Sequence, residues 1–170
     1  MINITNKKEN YKPIQAVGNG ILISFGYKDT IIKDADGNNV ATGLGTWTEH
    51  IFPNRRTVSQ IKTFILDELN RRIDQKILTG FKWQGIDVWL SRENQFNYKA
   101  AYDLAVQTGG ANLPVTFKFG TTDEPVYHTF STVAELNGFY LAAMRYINDT
   151  LAEGWREKDA IDWNAYLLIE

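Results

Sequence analysis

Five aliphatic residues at four-residue intervals, Ile61, Ile65, Leu69, Ile73 and Ile77, constrain this chain more than any other feature. Positions four apart share one face of an α-helix. The spacing therefore predicts a helix of about five turns with a single apolar stripe, flanked by Val58 and Leu66. Thr57 and Gln60 form a capping-box pattern at its start, each side chain placed to accept from the other's backbone N–H. Gly80 is expected to end the helix in a left-handed conformation. Such a stripe must be buried against another layer, because most helical stability comes from packing an apolar face.

The rest of the chain supplies the layers. Ahead of the helix the pattern is β. Ile21, Ile23 and Phe25 mark one strand, and the stretch from Thr30 to Lys33 reads as a second short strand. A tight turn follows from Asp34 to Asn39, with Gly37 available for positive φ. A further strand runs from Val40 to near Ile51, and Pro53 closes it. Residues 1–12 are polar and read as a flexible or partner-bound lead.

Behind the helix, Phe81 to Leu90 reads as a hairpin turning at Gln84 and Gly85. Ser91 caps a second helix whose inner stripe is expected to be Phe96, Ala100, Ala101, Leu104 and Ala105, with Gly109 and Gly110 ending it. Val115 to Phe119 and Val126 to Phe130 alternate as two strands. Thr132 and Glu135 form a second capping box. A long helix follows, with Leu136, Tyr140, Ala143, Ile147, Leu151 and Trp155 at helical spacing.

The expected fold class is therefore α+β: a small N-terminal β-meander, then a helix-hairpin-helix-hairpin-helix domain. The expected division is a β module over residues 1–53, a hinge at Asn54 to Arg56, an α+β domain over 57–163, and an apolar tail over 164–170.

Composition bounds the chemistry. The 170 residues are 44% hydrophobic, ordinary for a globular protein, and carry a net charge of −2 with no basic run. Phosphate binding draws on clustered Lys and Arg, so no nucleic-acid role is expected. There is no cysteine, which excludes disulfides, thiol nucleophiles and cysteine-ligated metals. The longest apolar runs are strand-sized, well short of the roughly 20 residues of a membrane span, so no membrane partner is expected.

No catalytic constellation emerges. The two histidines, His50 and His128, sit in no ligand-spaced motif. Asp34, Asp36 and Asn38 resemble half of a calcium loop, yet the closing Glu is missing and a hairpin turn accounts for the same residues. The acid pairs Asp67 with Glu68, Asp123 with Glu124, and Asp159 with Asp162 would make a glycosidase only in a cleft that sets their separation and raises one pKa, and solvation is the simpler reading for Asp67 and Glu68 on the polar side of the first helix. The chain is thus expected to be no enzyme and to hold no cofactor or metal. Five tryptophans and an apolar C-terminus point instead to contact surface, and the candidate partner-contact residues are Trp47, Trp155, Trp163, Tyr166, Leu167 and Ile169. Aromatic faces also stack on sugars, which keeps a glycan partner in view, with Trp47 and Trp163 as its carriers.

The run NRRIDQKILTG from Asn70 to Gly80, the FKWQG that follows to Gly85, the segment from Glu93 to Asn97, and the strand ending Thr129 to Ser131 ahead of a long helix occur in a distinctive order. In this order, over about residues 57–163, the chain resembles a family of domains of unknown function common in phage and prophage genomes, often encoded beside tail-fibre genes. It departs from that family at Val115 to Phe119, where a tryptophan and polar turn are usual, and its N-terminal β region lies outside the resemblance. The resemblance implies a structural component of a virion, assembled in the host cytoplasm. Its partners would be other tail, fibre or baseplate proteins and copies of itself. A tail-fibre assembly chaperone and a carbohydrate-binding host-recognition module are the alternatives.

Overall fold

The structure, a computed structural model, describes residues 2–167. Among these, the chain is a mixed α and β protein with three α-helices and an N-terminal sheet. In order the elements are β1 (Ile2–Lys7), β2 (Ile14–Val17), β3 (Gly20–Lys33), β4 (Asn39–Phe52), α1 (Val58–Thr79), β5 (Phe81–Trp83), β6 (Ile86–Val88), α2 (Arg92–Gln107), β7 (Val115–Gly120), β8 (Pro125–Phe130) and α3 (Val133–Asp159).

The chain forms two compact units, residues 1–68 with 157–170, and residues 69–156. This division differs from the expected one. The boundary falls inside α1 instead of at Asn54 to Arg56, and the C-terminal segment belongs with the N-terminal sheet.

The first unit is built on a four-stranded antiparallel sheet in the order β1-β4-β3-β2. The expected N-terminal lead is instead mostly structure: β1 pairs along β4 from Ile2 opposite Glu49 to Lys7 opposite Leu44, and a 3-10 turn follows at Lys8–Asn10. The expected short strand from Thr30 is the continuation of β3. Gly26, at φ +67°, and Tyr27 together oppose the single residue Trp47, so a bulge absorbs the glycine without ending the strand. Ile21, Ile23 and Phe25 are buried, and Ile61 and Ile65 of α1 are buried with them in this unit. Phe64 packs edge-on to Phe25 at 6.4 Å and stacks on His50 at 4.2 Å. The capping box at the start of α1 forms in both directions: Thr57 N donates to Gln60 Oε1 at 3.0 Å, and Gln60 N to Thr57 Oγ1 at 3.3 Å.

The second unit gathers its core around Phe139 of α3. That ring lies 5.0 to 5.3 Å from Tyr98 of α2, Phe119 of β7 and Phe130 of β8, and 6.2 Å from Phe81 of β5. The hairpin β5–β6 turns as expected, with Gln84 at φ +50° and Gly85 at φ +84°. Ser91 Oγ caps α2 by accepting from Asn94 N, and Gly110 N closes its other end on Ala105 O at 2.7 Å.

Three sequence expectations are corrected in this unit. The buried face of α2 is Tyr98 and Ala105 with Ala101 and Tyr102 beside them, whereas Phe96 is 71% exposed and Leu104 faces outward. The buried face of α3 runs Leu136, Phe139, Ala143, Thr150 and Gly154, so Trp155 lies off the stripe. Gly80 is not left-handed. Its role is space: a Cβ there would overlap the Tyr146 hydroxyl, which donates to Lys76 O at 2.8 Å.

Candidate functional site

The six candidate contact residues are scattered by the fold. Trp47 is buried in the first unit, 2% exposed. Tyr11 meets it edge-on at 5.5 Å, Tyr27 stacks on it at 6.2 Å, and its Nε1 donates to Glu49 Oε1 at 2.9 Å. Gly45 is required beside it because a Cβ would enter the Tyr27 ring. Trp47 is therefore core and offers no surface to a partner or a sugar.

Tyr166 is core as well. Its hydroxyl donates to Ser24 O at 2.6 Å, and Tyr11 OH donates to the same carbonyl at 3.1 Å. Burial pushes both phenols above their ordinary value of 10.0. The short 3-10 turn Trp163–Tyr166 is held by Asp162, whose carboxylate accepts from Asn164 N at 3.0 Å. The tail thus ties itself to the sheet through one buried tyrosine. Trp163 is half-buried, with Lys62 Nζ 5.1 Å over its ring. Leu167 is exposed, as is Trp155 at 58%. Ile169 lies outside the described residues.

Exposed apolar surface is greater elsewhere. Ile31, Ile32 and Val40 protrude from the outer part of the β3–β4 ribbon. There β1 no longer reaches β4, whose pairing with it ends at Leu44, and β2 reaches β3 only as far as Ile23. A lone two-stranded ribbon has no layer on which to bury either face. Sequence reading missed this surface because it took Ile21 to Phe25 and Thr30 to Lys33 as two separate strands, whereas β3 runs through both.

Trp89 is half-exposed in the second unit. It borders an open cleft of about 190 Å³ with Asn94, Lys118, Phe119, Gly120, Thr121 and Thr122. Asn94 Nδ2 donates to Trp89 O at 2.9 Å, and Thr121 Oγ1 accepts from Glu124 N at 3.0 Å, so both polar side chains are held in place.

Both histidines lie against aromatic rings. His50, stacked on Phe64, is lowered from 6.5 by desolvation, and His128 stacks on Phe119 at 5.6 Å. Asp34 spends its Oδ1 on the backbone N–H groups of Asp36 and Asn38, at 3.0 and 2.8 Å, which is a tight turn closing β3 onto β4. Among the described residues, no three His, Asp or Glu side chains cluster to hold a metal, and no helix is long and apolar enough to cross a membrane.

The geometry thus defines a two-unit α/β chain with an uncovered apolar ribbon on one unit and a shallow tryptophan-edged cleft on the other. The family described as "Domain of unknown function (DUF4376)" matches residues 60–170, and the chain belongs to it. No curated protein and no solved structure matches the chain.

Proposed function

We propose that this protein is a structural component of a bacteriophage virion, in the tail, baseplate or fibre-attachment region, and that it acts by protein-protein assembly. The observation that carries the assembly reading is the outer β3–β4 ribbon, where Ile31 is 60% exposed and Ile32 and Val40 are also uncovered. Aliphatic side chains on a ribbon with no second layer gain free energy when another chain covers them, about 25 cal/mol per Å² of apolar surface. The phage setting draws on the order of segments from Asn70 to Ser131. In this reading the second unit is a helix-hairpin-helix-hairpin-helix domain, and the ribbon of the first unit is where the chain meets its neighbours. Trp155 and Leu167 add exposed apolar surface to the same purpose.

Mass spectrometry of particles purified from the phage or induced prophage that encodes the chain tests this directly. A virion component is retained at fixed copy number relative to the tail proteins. Absence from particles, with recovery on immature fibre protein, makes it an assembly chaperone instead.

One observation favours a second reading as a carbohydrate-binding module. The half-exposed Trp89 ring stands beside the hydroxyls of Thr121 and Thr122 and the amide of Asn94. That is the pairing of apolar face and hydrogen-bonding rim that a sugar ring offers in reverse. Titrating host polysaccharide while reading tryptophan fluorescence decides it: a shift lost in Trp89→Phe supports the module, and no shift removes it.

A further inference from the structure

The ribbon's free edge carries its own specification of a partner. From Lys28 to Asp34 the sequence reads KDTIIKD, and no strand among the described residues pairs with the side of β3 that faces away from β4 over this stretch. Its backbone polarity can be assigned. Thr30 O accepts from Thr42 Oγ1 at 3.1 Å, and Asp34 N donates to Asn38 O at 2.9 Å, so the even-numbered residues direct their backbone groups toward β4. Alternation then turns the N–H and C=O groups of Asp29, Ile31 and Lys33 outward.

We propose that this edge pairs with the same edge of a second copy of the chain, antiparallel, with Ile31 opposite Ile31. This inference rests on the assembly reading and names the seam. The register follows from two requirements. Outward-facing residues must meet outward-facing residues, which removes every slip by one position. Such slips would also place Lys28 opposite Lys33 or Asp29 opposite Asp34, like charges in contact. Slips by two set no opposite charges against each other. Only the register with Ile31 opposite Ile31 places Asp29 opposite Lys33 and Lys28 opposite Asp34, each twice by the two-fold axis. In it, the pairs Ile31 with Ile31 and Asp29 with Lys33 each exchange both backbone hydrogen bonds. One face of the new sheet carries the Ile31 pair between ion pairs, and the other sets Ile32 beside Thr30.

The existing contacts of these charges leave them available. Lys28 sits 3.9 Å from Glu157 and Asp29 3.8 Å from Lys8, both well solvated; Tyr27 OH takes one Asp29 oxygen at 2.7 Å. Asp34 keeps its turn bonds to Asp36 and Asn38 and still carries its charge at the rim.

The chain has no cysteine, so a single introduced thiol reports position without ambiguity. Ile31→Cys and, as the control, Ile51→Cys are made in the full chain; the two side chains are almost equally exposed, 60% and 58%. Opposed Cα atoms in the proposed pair are about 5.5 Å apart, within reach of a disulfide or a short bismaleimide. The expected result is rapid covalent dimer from Ile31→Cys and little from Ile51→Cys. Asp29→Lys should then raise the dimer dissociation constant about tenfold, and the double variant Asp29→Lys with Lys33→Asp should restore it, because the opposed charges are again unlike. Equal cross-linking of the two thiols overturns the seam. So does association that persists unchanged in Asp29→Lys, which leaves the assembly reading standing on another surface. A monomer under all conditions overturns the seam as well, while the assembly reading is then decided by retention in purified particles.

Discussion

The hydroxyl of Tyr146 occupies the place where a side chain at position 80 would begin. A Cβ on Gly80 would overlap that oxygen, which donates to Lys76 O at 2.8 Å and so caps the last turn of α1 with a group from α3. The glycine that looks like a helix stop in the sequence is there to admit a side chain from 66 positions further on. Gly80→Ala is therefore expected to cost about 1 to 3 kcal/mol through overpacking. In a Tyr146→Phe background the same change should cost less, since the blocking oxygen is gone. The Lys76 carbonyl, also close to the new methyl, keeps the relief partial. Urea denaturation of the four proteins in this cycle measures the coupling.

Phe139 is the ring on which the second unit converges. Truncating it removes contacts with Tyr98, Phe119 and Phe130 together and leaves a cavity among them. Phe139→Ala should cost about 3 to 5 kcal/mol, whereas Phe96→Ala, at an exposed position of α2, should change stability by less than about 0.5 kcal/mol. Thermal and urea unfolding of the two variants read the contrast.

The tail is fastened to the sheet by a shared acceptor. Tyr166 and Tyr11 both donate to Ser24 O, so either hydroxyl alone can satisfy it. Tyr166→Phe and Tyr11→Phe are each expected to cost about 0.5 to 1.5 kcal/mol. The double variant should cost more than the sum, because only then is the carbonyl left without a donor. Protection of the Trp163 to Leu167 amides from hydrogen exchange should fall in step.

Stability should decline at both ends of the pH range. Burial raises Tyr98 from 10.0 to about 12, and Tyr11 and Tyr166 are raised too. Above pH 10 the unfolded chain loses phenolic protons that the folded chain keeps, so stability present below pH 10.0 is lost as pH rises toward about 12. His50 is lowered from 6.5, so the unfolded chain takes up a proton that the folded chain resists, and stability falls as pH drops below 6.5. Urea midpoints across pH check both limbs. Tyr98→Phe should flatten the alkaline one, and His50→Phe the acid one.

The parts of this fold legible in the sequence are those where local chemistry decides. Thr57 with Gln60 and Thr132 with Glu135 form both halves of their capping boxes, and the stripe from Ile61 to Ile77 faces inward throughout, fully at both ends and half-buried at Ile73. What was not legible depended on partners distant in sequence. Tyr98 has no place in the expected stripe of α2, yet it is buried edge-on against Phe139 while Phe96 faces outward. Trp47 and Tyr166 look like sticky surface until Tyr11, Tyr27 and the Ser24 carbonyl close over them. The bulge at Gly26 and Tyr27 hid the full length of β3, and with it the exposed ribbon, because a glycine in a strand pattern signals a turn and a bulge alike.

The claim that uncovered apolar surface exists to be covered by other chains has one direct measurement, sedimentation equilibrium of the purified full-length protein over a wide concentration range. The account predicts reversible self-association above the monomer mass that weakens when Ile31 and Ile32 are both changed to Ser. A single monomeric species at every concentration, unaltered by those changes, would contradict it.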